Sequence, residues 1–175
     1  MDAPLDRLLH LAFRIAALAC FPLLVTISIY DIVGRQFMNT GSTALQELQW
    51  HLFFASVMLA LGWVYMRDGH VRIDIFRARW PERRRHAVEI AGILLALVPL
   101  ALLLILAGGE QAWIAFESGE HSQAAMGLGQ RWIVKSLMPI GGALLLLSGL
   151  LMLRRSIARL RDTDQDETAT GRNGR

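Results

Sequence analysis

Glu47 and His51 stand four residues apart in a largely apolar stretch, and on a helix that spacing puts them on one face. Asp31, Arg35, Gln46 and Gln49 lie nearby in the chain. Charge is costly in hydrocarbon, so ionisable side chains flanking apolar runs mark either a function or a partner. One chemistry open to this set is an ion or proton path through Glu47 and His51. The other is a hydrogen-bonded clamp in which Arg35 pairs with Glu47 or Asp31 across a helical hairpin. No carboxylate occupies the centre of an apolar run, where a proton relay needs one, and this favours the clamp. Depth alone suggests two further pairs, Arg14 with Glu89 and Lys135 with Glu110. For Arg14, snorkelling to the interface is the rival reading.

Histidines raise a rival function, a haem-holding or quinone-site anchor of a respiratory oxidoreductase. Haem b needs two histidines at matching depth on neighbouring helices. His10 and His86 share one end of their runs, and His51 lies at the other, so none has a partner deep in a span. Glu117 and His121 are too few to specify a metal. Cys20 is the sole cysteine, which excludes an intrachain disulfide. No nucleophile triad, phosphate-cradling loop or HExxH is present, so no enzyme and no cofactor are expected.

These side chains must be positioned by long apolar elements. The 175 residues are 54% hydrophobic, with a mean hydropathy of +0.38. Apolar runs at about 8–30, 44–66, 87–109 and 132–153 each have the ~20 residues that cross about 30 Å of hydrocarbon. They lack the alternation of barrel strands, so the chain reads as an all-α membrane protein of four transmembrane helices. Residues 1–161 form one domain on this reading, and 162–175 a polar, disordered tail. Ala17-Leu18-Ala19-Cys20 resembles a lipoprotein box, but apolar residues continue beyond it, so the first helix is read as retained. A turn at Asn39-Thr40-Gly41-Ser42 closes a hairpin, with Thr43 as the expected cap of the second helix. Pro99 predicts a bend in the third helix, which ends near Gly108-Gly109 unless Glu110–Phe116 prolongs it. Gly141-Gly142-Ala143 and Ser148-Gly149 permit close helix approach in the fourth.

Charge fixes the expected orientation. Arg67, Arg72, Arg77, Arg79, Arg83, Arg84 and Arg85 crowd the second connection, and Arg7, Arg154, Arg155, Arg159 and Arg161 fall on the same side. The opposite side carries Arg35, Arg131 and Lys135. The positive-inside bias then puts both termini and the middle loop in the cytoplasm. Ile73, Ile75, Phe76 and Trp80 among those arginines suit an amphipathic segment in the headgroup plane, in contact with lipid. The net charge of +3 is thereby explained without nucleic acid.

Several ordered pieces resemble the small permease subunit of TRAP (tripartite ATP-independent periplasmic) transporters, the DctQ-like family. Gly34-Arg35-Gln36-Phe37 is similar to the segment closing that family's first helix, and Glu47-Leu48 to its carboxylate at the start of the second. Asp68-Gly69-His70-Val71-Arg72-Ile73-Asp74 resembles the signature turn that follows. Arg131-Trp132-Ile133-Val134-Lys135, with Pro139 and Gly141, is similar to the start of its fourth helix. This chain departs from the pattern at Gln46, where many members carry a carboxylate, and at Trp50 or His51, near which an arginine is common.

The resemblance implies a scaffold for a large multi-spanning permease that imports a small organic acid delivered by a periplasmic solute-binding protein. The coupling ion, commonly sodium, would be bound by the large subunit, with no cofactor in this chain. It implies anchoring roles for Gly69, His70, Arg72 and Asp74 at the cytoplasmic turn and for Arg131, Trp132, Lys135, Pro139 and Gly141 on the fourth helix. Glu117 and Glu120 become candidate contacts for the docking binding protein. A free-standing membrane adaptor is the remaining alternative.

Overall fold

The computed structural model describes residues 3–38, 41–67, 81–124 and 126–173. Among them there is no strand; the helices are α1 (Ala3–Ile15), α2 (Phe21–Met38), α3 (Thr43–Met66), α4 (Glu82–Gly92), α5 (Val98–Glu117) and α6 (Trp132–Asn173). Five-residue π-helical turns, Ala16–Cys20 and Ile93–Leu97, join α1 to α2 and α4 to α5. The result is four continuous rods, each long and apolar enough to cross a bilayer: Pro4–Phe37, Thr43–Met66, Arg84–Glu117 and Trp132–Leu160.

Both π turns end two residues before a proline, Pro22 in one case and Pro99 in the other. A proline ring inside a helix meets the carbonyl four residues earlier and removes one ladder bond. The wider turn relieves this: Phe21 N–H donates to the carbonyl of Ala16, and Val98 N–H to that of Ile93, five residues back. The expected distortion at Pro99 therefore takes the form of a π turn preceding it, and Pro22 produces the same feature in the first rod.

The rods form a row more than a closed bundle. α6 lies between α5 and α3, and the first rod packs on α3 and, through α1, also touches α6. Small residues set these spacings. A Cβ at Gly62 of α3 would stand 2.6 Å from the carbonyl oxygen of Leu144, so the two backbones meet directly there. On α6, Gly141 packs against Met58 of α3, while Gly142 faces Ala101 and Leu104 of α5. One buried cluster joins Leu9, Ala12, Leu144 and Leu151, with Trp63 and Met66 against it. A second joins Leu97, Ala101 and Leu145, with Leu61 and Tyr65 against it. Ser148, fully buried on α6, donates its hydroxyl to the carbonyl of Leu145 at 2.7 Å and so buries no unmet donor.

Three boundaries differ from the sequence expectation. Ser42, in extended conformation, is the N-cap residue of α3, and its carbonyl accepts from Gln46 N–H at 3.2 Å; Thr43 is the first helical residue. α5 runs on to Glu117, beyond Gly108-Gly109. The backbone of α6 stays helical to Asn173, where the polar composition suggested a disordered tail. The signature turn with Gly69, His70, Arg72 and Asp74, and the amphipathic segment around it, lie outside the described residues.

Candidate functional site

The polar residues gather at the two ends of the row. At the end where α2 turns into α3, here termed the hairpin end, Arg35 donates to Asp31 Oδ2 from Nε at 3.1 Å and from Nη2 at 2.7 Å. The residues are four apart on α2, so helical spacing alone brings them together. Gln49 on α3 donates to the same oxygen at 3.3 Å, and the Gln46 amide lies against the Arg35 guanidinium. Arg35 thus pairs with Asp31 inside α2 and not with Glu47 across the hairpin; the bond that crosses it is the one from Gln49 to Asp31.

Glu47 has a different task. Its Oε2 accepts the backbone N–H of Leu128 at 2.7 Å, and its Oε1 accepts the hydroxyl of Ser122. Both donors come from the connection between α5 and α6, so a helix carboxylate of α3 clasps a loop some 80 residues later in the chain. Gly127 makes room for this: a side chain there would run into Ser122 and Glu47. His51, one turn on from Glu47, is half-buried.

The same loop is fixed to α5 and α6. α5 ends in a Schellman motif in which Glu120 N–H reaches the carbonyl of Ala115 at 3.0 Å and Gly119 N–H that of Phe116 at 3.2 Å. Gly119 takes the left-handed conformation this turn needs, at φ +58. Glu120 is thereby aimed at the start of α6. Lys135 Nζ lies 2.5 Å from its carboxylate and Arg131 Nη1 3.8 Å away, and Arg131 N–H donates to the Glu120 carbonyl at 3.2 Å. Trp132 meets Phe116 edge-on at 5.5 Å between centroids.

This corrects the expected Lys135–Glu110 pair. Because α5 continues to Glu117, Glu110 lies two turns, or about 10 Å, short of the helix end and is exposed on its surface. Arg14 and Glu89 are not joined either. Arg14 is exposed on a rod that packs against α3, while Glu89 Oε2 lies 4.0 Å from His86 Nδ1 on α4. Glu117 is exposed, whereas Glu120 is engaged by α6. Pro139 lies inside α6, one turn beyond Lys135, and Gly141 sits at the α3 contact.

At the opposite end, Arg155 of α6 pairs with Asp6 of α1 at 3.2 Å. Trp63 of α3 carries His10 at 4.8 Å and Phe13 at 6.2 Å between centroids, and the Arg67 guanidinium lies 4.6 Å from its ring centroid. None of these contacts was foreseen; the complementary signs of Asp6 and Arg155 at level ends of two runs were the available signal. Among the described residues, no three of His, Cys, Asp and Glu converge to hold a metal ion.

Residues 24–159 match the family described as tripartite ATP-independent periplasmic transporters, DctQ component. The chain belongs to this family. The matched stretch opens in α2, ends in α6, and contains every residue of the hairpin-end network. Comparison with curated proteins returned no match. Within this DctQ-family chain, the side chains the resemblance singled out divide in two. Arg35, Glu47, Arg131 and Lys135 join elements at the hairpin end, while the signature turn lies in the undescribed connection between α3 and α4.

Proposed function

We propose that this multi-pass membrane protein is the scaffold subunit of a TRAP-type secondary transporter. It would hold a large multi-spanning permease in the bilayer while that partner takes up a small organic acid, driven by a coupled ion gradient with sodium as the expected ion. The observation that carries this reading is the division between polar ends and apolar flanks. At the hairpin end the Lys135–Glu120 ion pair and the hydrogen bonds of Glu47 and Gln49 tie one element of this chain to another, and no charged residue occupies the central stretch of any span. A row of this kind has rigidity and broad apolar faces, but no midplane polar site of the kind transporters use to bind solute.

The positive-inside bias favours an inner-membrane orientation with the hairpin end in the periplasm and the Asp6–Arg155 end in the cytoplasm. The loop clasped by Glu47 then faces a docking binding protein, with Glu117 exposed beside it. Reconstitution tests the scaffold role. Proteoliposomes holding the large permease, its binding protein and an inward sodium gradient are expected to take up solute only when this chain is present. Equal uptake without it would refute the scaffold reading.

A further inference from the structure

α5 stands at an edge of the row, where α6 packs against one side of it. Ala101, Gly108 and Ala115 are buried on that side, Gly108 against Met138. Two residues on from each, about 200° around a helix, stand Leu103, Glu110 and Glu117, all exposed. Leu106 and Trp113, exposed as well, complete a stripe of heptad spacing on the uncovered side.

Glu110 is the residue on this stripe that the chain does not explain. It has no hydrogen-bond or ion-pair partner among the described residues. Trp113, one turn nearer the helix end, supplies the amphipathic ring typical of the bilayer boundary, which puts Glu110 on its hydrocarbon side. Gly108 meets Met138 and Gly142 meets Leu104, so α5 and α6 run antiparallel and Glu110 stands near the level of Lys135 and Ser136. Lys135 leaves that level for Glu120 at the hairpin end. Every Cα–Cβ bond of a helix tilts toward the N-terminus, which for Glu110 is toward the bilayer centre. Its short side chain is thus aimed away from the nearer surface, to which a longer arginine could snorkel.

Lipid does not answer this group. An ionised carboxylate only accepts hydrogen bonds, and lipid phosphates are anionic acceptors themselves, with any headgroup amine lying outward of them. A charge at this depth calls for an opposite charge on a neighbouring protein segment. Gly109 leaves room for one: a Cβ there would meet nothing within 4 Å, so no contact inside this chain requires a glycine, while an open glycine lets another helix come close.

We propose that the stripe from Leu103 to Trp113 seats a transmembrane helix of the large permease, and that this helix brings a lysine or arginine to Glu110. The inference rests on the scaffold reading for the identity of the partner, and adds to it the face and the contact.

The test uses membranes in which the full chain is made together with the permease. A benzophenone-bearing phenylalanine in place of Leu106 is photo-activated, and the adduct is mapped by mass spectrometry. The expected adduct is a membrane-spanning segment of the permease with a lysine or arginine within two turns of the attachment point. In parallel, Glu110→Lys should lower the permease recovered with the tagged chain about tenfold, the weight of one hydrogen bond to a charged group, and leave the chain's own melting transition unchanged. Changing the mapped cation of the permease to glutamate should restore recovery. An adduct to lipid alone, or to a second copy of this chain, would overturn the proposal, and so would undiminished recovery with Glu110→Lys. In those cases permease recovered with the unsubstituted chain leaves the scaffold reading standing, whereas its absence there would overturn both.

Discussion

At the scale of single residues, the carboxylates have separate partners, and their substitutions should separate too. Glu47 satisfies a loop N–H and a loop hydroxyl, and a hydrogen bond to a charged group contributes roughly 1.5–3 kcal/mol. Glu47→Ala should therefore raise exposure of the 118–131 loop by about tenfold or more. The measurement is the rate at which an impermeant maleimide labels Gln123→Cys in a Cys20→Ser background. An unchanged rate would mean that Glu47 does not hold the loop. Lys135→Glu should lower the yield of folded protein by placing two carboxylates together, and adding Glu120→Lys should restore part of it. Failure of the double variant, beside wild-type behaviour of Glu110→Lys, would count against this pair. Which partner each charge takes was not legible in the sequence. Lys135 meets Glu120 because a left-handed residue at Gly119 turns the chain back over the end of α5, and that geometry leaves no periodic signal.

At the scale of elements, the hydropathy pattern carried most of the information. Four runs of spanning length and a break at residues 39–42 follow from the solvent alone, since a backbone in hydrocarbon must satisfy itself as helix. The end of α5 was less legible because Glu110 and Gln111 look like a boundary, yet the backbone ladder runs through them to Glu117. Proline positions were visible, but not that π turns would precede Pro22 and Pro99 while Pro139 lies inside an unbroken α6. α3 and α6 approach backbone to backbone at Gly62, which faces a main-chain carbonyl that cannot rotate away. Gly62→Val should abolish a cooperative melting transition in detergent. Gly109→Ala, where a Cβ would meet nothing within 4 Å, should leave the transition unchanged or raise it slightly. Equal effects from the two would show that the α3–α6 approach is not the limiting contact.

At the scale of the whole molecule, the row leaves much of its apolar surface uncovered. Leu95 is 80% exposed, Phe37 79% and Leu106 70%, on rods at opposite edges of the row. Lipid can solvate such faces, and so can another membrane protein; scattered apolar exposure alone does not choose between them. The polar ends do bear on the choice. Among the described residues, Asp31, Arg35, Glu47, Glu120, Lys135, Asp6 and Arg155 are engaged in fixing this chain's own rods and loop, which favours the apolar flanks as surfaces for association.

Purification from native membranes in mild detergent, through a tag at Arg175, tests the central claim most directly. The scaffold account predicts a large multi-spanning permease recovered in constant proportion to this chain, with no haem absorbance. Recovery of the chain alone, or with a haem-bearing oxidoreductase partner, would contradict it.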